Sequence, residues 1–222
     1  MTHLEIRDLR VEYPTRKGTF VAVEDVSLTI DSGEIVGVVG ESGAGKSTVG
    51  AAAIGLISRP GRITRGEIQL TGKRIDPTDS RQFSGLRGKK ISMIFQDPLT
   101  SLNPVETVGA QLIETIRLHL GMDEATARSR SVELLDKVGI RDPEHRVDDY
   151  PHQFSGGMRQ RVVIALALAS EPEVIIADEP TTALDVSVQA QILKLLRKLC
   201  DEQRVAMILV THDMGVIAEV TD

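Results

Sequence analysis

The stretch Ile35 to Ser47, IVGVVGESGAGKS, decides the fold of this chain. Residues 35–39 are an apolar run of mostly β-branched residues, which is typical of a parallel strand covered on both faces. Residues 40–47 fit the pattern G-x-x-x-x-G-K-S/T, and an apolar helical segment follows and ends near Pro60. Strand, glycine-rich turn and helix form the context that this pattern requires of a phosphate-binding P-loop. The sequence therefore predicts an α/β fold with a site for nucleotide phosphates.

The composition of this loop suits a phosphate group. Its glycines let consecutive backbone N–H groups point into one concavity, and the N-terminus of the following helix adds partial positive charge. We expect Lys46 to reach the β and γ phosphates and Ser47 to hold Mg²⁺. A chance match in a chain of this length is on the order of 1%, which makes a simple glycine turn the poorer interpretation. The residues expected to contact the nucleotide here are Gly40, Glu41, Ser42, Gly43, Ala44, Gly45, Lys46, Ser47 and Thr48.

Composition narrows the class of protein. The 222 residues suit one large domain or a core with an insertion, and 41% hydrophobic with 26% charged residues is typical of a globular chain. The net charge of −6 argues against nucleic acid as the main ligand. The single cysteine, Cys200, cannot form an intrachain disulfide or a thiolate metal cluster, so we expect a reducing compartment. The longest apolar run, 162–169, is too short for a membrane span, and no signal peptide is predicted.

The remaining pattern predicts three parts. Alternating residues in 4–13 and 20–30 predict two antiparallel strands, and helical periodicity over 98–150 predicts an inserted helical region. From Ser155 onward the pattern alternates helix and strand, which restores a parallel sheet. We therefore expect a single nucleotide-binding domain: an antiparallel β subdomain (1–34), a P-loop core with a mostly parallel sheet (35–97 and 170–222) and a helical subdomain (98–169). The basic segment 71–90 is interpreted as a solvated face.

Two carboxylates follow the apolar strand 174–177. Strands of a parallel sheet bind ligands at their carboxyl ends, where Asp178 and Glu179 are placed. We expect Asp178 to bind Mg²⁺ directly or through water. Glu179 is expected to orient or deprotonate an attacking water molecule.

A second anion site is predicted at Ser155. This residue is a good helix N-cap, and the two glycines after it, Gly156 and Gly157, each weaken the first turn by up to about 1 kcal/mol relative to Ala. Such a cost suggests that a ligand approaches the backbone closely, and a helix N-terminus suits a γ-phosphate. A flexible Gly-Gly hinge is the alternative interpretation.

Taken together, these motifs resemble those of the ATP-binding cassette ATPases over essentially the whole chain. Residues 40–47 are similar to the Walker A motif, 174–179 to the Walker B motif with its glutamate, and 155–157 to the family signature. The resemblance extends to further motifs: Gln96 of the Q-loop, 183–185 of the D-loop, His212 of the switch, and Tyr13, where the family stacks an aromatic ring on adenine. It implies ATP as nucleotide, catalytic roles for Glu179, His212, Gln96 and Lys46, nucleotide contacts from Tyr13, Ser155, Gly156, Gly157 and Asp185, and Mg²⁺ ligands Ser47, Gln96 and Asp178.

The resemblance also implies how the chain acts. Cassettes of this family dimerise head to tail, with ATP between the P-loop of one copy and the signature of the other. The implied partners are a second cassette, identical or paralogous, integral membrane permease subunits docked on residues 98–153 and, indirectly, a solute-binding protein. The implied location is the cytoplasmic face of the inner membrane. The family continues beyond the position of Asp222, so we expect its C-terminal part to be absent here.

Segments 96–104, 150–153 and 177–186 resemble the peptide, nickel and glutathione importer subgroup. The signature differs from the commonest Leu-Ser-Gly-Gly-Gln at Phe154 and Met158. A cassette ATPase acting on ribosomes or DNA is the alternative. A long coiled coil would then separate the P-loop from the signature in a DNA-repair protein, whereas Lys46 and Ser155 are 109 positions apart, and a ribosomal factor usually carries two cassettes.

Overall fold

The computed structural model describes residues 1–41, 43–182 and 184–221, without the side chains of Val216 and Glu219. The strands of this part are β1 (Thr2–Thr15), β2 (Gly18–Asp31), β3 (Ile35–Val39), β4 (Arg62–Leu70), β5 (Lys73–Ile75), β6 (Ile91–Ile94), β7 (Val174–Asp178) and β8 (Ala206–Thr211). The helices are α1 (Lys46–Ala53), α2 (Pro98–Ser101), α3 (Val108–Leu120), α4 (Glu124–Lys137), α5 (Pro143–Arg146), α6 (Gly156–Leu168), α7 (Val186–Gln203) and α8 (Met214–Val220). Ser42 and Ala183, expected in the P-loop and the D-loop, lie outside the described residues.

A parallel sheet in the order β3-β8-β7-β6 forms the centre of the molecule. The strands β6, β7 and β8 are largely buried on both faces, whereas the edge strand β3 is buried only at Ile35. Successive residues of a strand point to different cores. In β7, Val174 and Ile176 contact a core shared with α1 and the N-terminal strands. Ile175 and Ala177 contact a core shared with α3, α4, α6 and α7. The apolar run of β7 therefore has the cause expected of a covered parallel strand, whereas the run 35–39 is a parallel strand at the sheet edge and is only partly covered.

The antiparallel sheet is larger than the sequence predicts. Its order is β2-β1-β4-β5, so β4 pairs with β1, as in Leu4↔Leu70 and Ile6↔Ile68, and β5 pairs with β4. The range 1–34 leaves out two of these strands, which lie within the segment 35–97 assigned to the core. The short strand expected at 68–70 is the end of β4. Burial of Ile63, Ile68 and Leu70 against β1 drives this long-range pairing, which local patterns do not reveal.

The inserted helical region begins directly after β6. Thr107 and Asp123 accept hydrogen bonds from backbone N–H groups in the first turns of α3 and α4, and Gly121 ends α3 in the left-handed conformation. The helical periodicity predicted for 98–150 corresponds to buried helix faces: Leu112 on α3 and Leu135 on α4 are fully buried. Among the described residues, no helix has both the length and the apolar content that a membrane crossing demands.

The basic segment 71–90 is used within the fold. Arg74 and Lys90 form ion pairs with Glu67 and Glu173. Arg87 donates to the carbonyl oxygens of residues 54 and 55, at the end of α1, at 2.8 and 2.6 Å. Part of the expected solvated face is therefore structural.

Candidate functional site

The P-loop connects β3 to α1 through backbone that only glycine accommodates easily. Gly43 and Gly45 have φ of 83° and 84°. A Cβ on Gly45 would lie 2.2 Å from the carbonyl oxygen of Ala22, so the close approach of β2 also excludes a side chain there. The loop is thus held against the antiparallel sheet. This contact brings the ends of β1 and β2 to the mouth of the P-loop.

Lys46 folds back across this loop. Its side chain is buried, with 7% of the residue exposed, and Nζ donates to the carbonyl oxygens of Gly40 and Glu41, both at 2.8 Å. These bonds fix the ammonium group inside the loop. A ligand bound in the loop would therefore lie in direct contact with the Lys46 ammonium group.

Ser47 and Asp178 meet where α1 begins and β7 ends. Ser47 Oγ donates to Asp178 Oδ1 at 2.8 Å. Burial raises the pKa of Asp178. The hydrogen bond from Ser47 lowers this pKa, the nearby Glu179 carboxylate raises it, and the positive charge of Lys46 lowers it. A hydroxyl and a partly buried carboxylate are hard oxygen ligands, and a cation beside them would offset the burial of the charge. This pair fits Mg²⁺, which is usually held by few protein ligands.

The described residues contain no group of three or more His, Cys, Asp or Glu that could hold a metal ion. Ser47 and Asp178 would thus supply two oxygen ligands to a cation.

Glu179 lies at the centre of a hydrogen-bond cluster. Its backbone adopts the left-handed conformation, with φ of 47°, and its N–H donates to the carbonyl oxygen of Val210 at 2.9 Å. Gln96 Nε2 donates to Glu179 Oε2 at 3.1 Å, and His212 Nδ1 lies 3.3 Å from Oε1. The structure thus brings Gln96, 83 positions before Glu179, and His212 to the same carboxylate.

Thr182 joins this cluster and is absent from the residues predicted to act. Its Oγ1 donates to Glu179 Oε2 at 3.0 Å. The only signal in the sequence is its position three residues after Glu179, inside the segment 177–186.

The first cleft has a volume of about 520 Å³ and includes the P-loop, Gln96 and Glu179. Tyr13 lies on its wall, as expected for a residue that stacks on a base, but part of its ring is covered by Gly61, where a Cβ would lie 2.5 Å from Tyr13 Cε1. Phe20 was not predicted. It pairs with Tyr13 across β1 and β2, lines the same cleft and is 58% exposed. Finding it requires the register of the hairpin.

The signature forms part of a second cleft, of about 660 Å³. Ser155 is the N-cap of α6 and accepts from the backbone N–H of Met158 at 3.4 Å. A Cβ on Gly157 would lie 2.7 Å from Val188 Cγ1, so this glycine permits close packing of α6 on α7. Both glycines belong to the regular helix α6, which argues against the hinge interpretation.

The two clefts divide the predicted nucleotide contacts between them. Ser155, Gly156, Gly157 and Asp185 line the second cleft, where Asp185 is the N-cap of α7. The first is lined by Gly43, Gly45, Lys46, Ser47 and Thr48 of the P-loop with Gln96 and Glu179, and the residues of the two walls do not overlap. Among the described residues of one chain, the signature therefore does not line the P-loop cleft.

Comparison with known proteins gives concordant results. The family model described as ABC transporter matches residues 23–182. The chain is 47% identical over 219 residues to the dipeptide transport ATP-binding protein DppD of Escherichia coli (strain K12), covering 99% of this chain and 67% of that protein. It is 50% identical over 220 residues to the oligopeptide transport ATP-binding protein OppD of Bacillus subtilis (strain 168), covering 99% of this chain and 62% of that protein. The chain thus spans about two thirds of the length of these relatives.

Among solved structures, the chain resembles a dimeric post-hydrolysis state of the ATP-binding cassette MJ0796 bound to ADP and Pi. The TM-score is 0.83 at 31% identity, with 96% of this chain and 89% of the other covered. It also resembles cbiO1 of Clostridium perfringens, part of the ABC transporter complex cbiONQ, with a TM-score of 0.82 at 28% identity, covering 100% of this chain and 83% of that one. The match of the family model over most of the chain, together with these relatives, shows that the chain belongs to the ABC transporter family.

Proposed function

We propose that this chain is the ATP-binding and ATP-hydrolysing subunit of an importer for dipeptides, oligopeptides or a related small solute. The observation that carries the proposal is the position of Glu179, whose carboxylate is held by Gln96 and His212 at the mouth of the P-loop cleft. The relatives named above are dipeptide and oligopeptide transport ATP-binding proteins, which favours transport over an action on ribosomes or DNA.

The first cleft supports binding of ATP at defined places. The P-loop N–H groups and Lys46 bind the β and γ phosphates, and Tyr13 stacks on the base. Ser47, Asp178 and Gln96 would hold Mg²⁺, which neutralises charge on the phosphates when it is bound. Glu179 orients a water molecule and accepts its proton, and the contact with His212 keeps the carboxylate in place. The water oxygen attacks the γ phosphorus, the bond from that phosphorus to the β–γ bridging oxygen breaks, and ADP and phosphate leave.

The separation of the two clefts supports a composite site. If two cassettes meet head to tail, the second cleft of one closes on the P-loop of the other, and Ser155 faces the γ-phosphate. Bound ATP then holds the dimer closed, and hydrolysis removes the group that bridges the two copies. The partner is a second cassette, identical or paralogous.

An apolar cleft of about 540 Å³ supports docking of a permease segment. It lies between the core and the helical region and includes Leu56, Phe95 and Leu166. Phe95 is 46% exposed and directly precedes Gln96, which contacts Glu179. A membrane subunit seated here would therefore act on the catalytic cluster through one peptide unit. The proposal also includes action at the cytoplasmic face of the inner membrane, with a solute-binding protein as an indirect partner.

Steady-state ATPase measurements on the purified chain test the enzymatic part. We expect Glu179→Gln to lower turnover by about 100-fold or more while ATP binding is retained, because the amide keeps the shape but does not accept a proton. Glu114→Gln, the same change at an exposed site on α3, is the matched control and should match the unaltered chain. A Glu179→Gln turnover within a few-fold of the unaltered chain contradicts the assignment.

Co-purification tests the transport part. A tagged chain expressed in the organism it comes from should co-purify with integral membrane subunits from detergent-solubilised membranes. The substitution Phe95→Asp should reduce the amount of these subunits that is recovered. Recovery with ribosomes instead would favour the alternative function.

A further inference from the structure

The geometry points to Thr182 as a positioning residue for the catalytic carboxylate: its hydroxyl holds Glu179 in the orientation that hydrolysis requires. This inference deepens the proposed function and depends on Glu179 acting as the base. It starts from the 3.0 Å hydrogen bond in which Thr182 Oγ1 donates to Glu179 Oε2.

The donors around Glu179 differ in where they are anchored. Gln96 follows β6, at the start of the helical region and beside the apolar cleft. His212 follows β8 and is 53% exposed in its side chain. Both therefore come from separate segments of the chain. A movement of either segment relative to β7 changes its contact with the carboxylate.

Thr182 is anchored in the same turn as Glu179. Besides the side-chain bond, the Thr182 backbone N–H donates to the Glu179 carbonyl oxygen at 3.3 Å, which closes the turn 179–182. Pro180 lies inside this turn and restricts its backbone. The Thr182 hydroxyl therefore moves together with Glu179, and its hold on Oε2 does not depend on the position of the helical region.

The left-handed backbone of Glu179 explains why a hydrogen bond from Thr182 to its side chain matters. A non-glycine residue with φ of 47° is kept there by its surroundings, here by the turn and by the bond from its N–H to Val210. The carboxylate is then aimed by its own side-chain torsions, which a hydrogen bond to one oxygen restricts. Without that bond the carboxylate samples orientations in which it does not contact the attacking water.

Steady-state ATPase kinetics on three variants test this role. We expect Thr182→Val, which keeps the shape and removes the hydroxyl, to lower kcat by about tenfold while KM for ATP changes less than about twofold. Thr182→Ser, which keeps the hydroxyl, should restore kcat to within about twofold of the unaltered chain. Thr126→Val is the matched control. Thr126 Oγ1 also donates to a carboxylate oxygen, Asp123 Oδ2, at 2.7 Å, but this pair lies at the start of α4 and outside both clefts.

A double-mutant cycle identifies the residue through which Thr182 acts. Thr182 also lines the second cleft, so a substitution there has a second way to lower activity. If its effect passes through Glu179, Thr182→Val causes no further loss in a Glu179→Gln background. An equal tenfold loss in that background overturns the inference, as does a Thr182→Val kcat within about threefold of the unaltered chain or a Thr182→Ser variant as impaired as Thr182→Val.

Failure of the proposed function would give a different experimental result from failure of the inference about Thr182. If the unaltered chain does not hydrolyse ATP, or if Glu179→Gln hydrolyses it normally, the proposed function fails and Thr182 has no base to position. If Glu179→Gln is inactive but Thr182→Val is not, only the inference about Thr182 is overturned. Thr182 is exposed, so neither substitution disturbs the core.

Discussion

Mixing two inactive variants tests the composite site most directly. Lys46→Ala removes the cation that lies inside the P-loop, and we expect this variant to lose ATP binding. Ser155→Arg places a long side chain at the exposed N-cap of α6, inside the second cleft, and leaves the P-loop of the same chain intact. Each variant alone, as a homodimer, carries the same defect in both of its sites and should be inactive.

The expected magnitude follows from the separation of the two clefts. In a mixed dimer both defects fall on one site, formed by the altered P-loop and the altered signature, and the other site is intact. Free exchange of equal amounts makes half of the dimers mixed, each with one of its two sites intact. If one site turns over alone, mixing should restore about one quarter of the wild-type rate. The measurement is ATPase activity of the mixture against that of each parent at the same total concentration.

Folding controls accompany this experiment. Loss of the Ser155 cap costs about 1 kcal/mol, which is small compared with the stability of a typical domain, so the variant should remain folded. Leu118→Arg, the same added charge at a residue that is 74% exposed on α3, should stay active without mixing. Robust hydrolysis by the Ser155→Arg parent would refute the composite site. A mixture no more active than its parents would refute independent turnover of the two sites.

Two further predictions concern single residues of the first cleft. Phe20→Ala should weaken ATP binding by about fivefold and leave tripolyphosphate binding unchanged, because the exposed ring lies beside Tyr13 and not at the P-loop. Titration calorimetry with both ligands measures this difference. Equal losses of affinity for the two ligands would contradict a contact between Phe20 and the base. Asp178→Asn should raise Tm at neutral pH without ligand and should raise the Mg²⁺ concentration that hydrolysis requires. Burial raises the pKa of Asp178, so its charged form destabilises the fold, and stability falls as the pH rises through that pKa. The Tm difference between Asp178→Asn and the unaltered chain should therefore shrink on acidification, and a constant difference would contradict this reasoning.

The parts of the site that the sequence predicts are those set by local pattern. The P-loop and the pair Asp178–Glu179 each lie within a few residues of an apolar strand, so strand and turn signals suffice to place them at one edge of the sheet. The pairing of β4 with β1 was missed because it depends on burial between residues about 60 positions apart, as in Ile6↔Ile68.

Two functional residues were missed for a related reason. Phe20 reaches the first cleft only because β1 and β2 pair in the register Tyr13↔Phe20, which the predicted strands 4–13 and 20–30 do not by themselves fix. Thr182 contacts Glu179 only because the chain turns back at Glu179, and no periodicity predicts a left-handed glutamate.

That left-handed turn also explains how two adjacent carboxylates serve different tasks. In a strand, successive side chains point to opposite faces, and Asp178, the last residue of β7, points to α1 and the hydroxyl of Ser47. A strand continued through Glu179 would direct its side chain toward the opposite core, away from the P-loop. The reversal of φ at Glu179 instead keeps the carboxylate at the sheet edge, between Gln96 and His212. One carboxylate therefore lies beside Ser47 and the next lies between Gln96 and His212, at a separation of a single peptide bond, as the proposed division between cation binding and water activation requires.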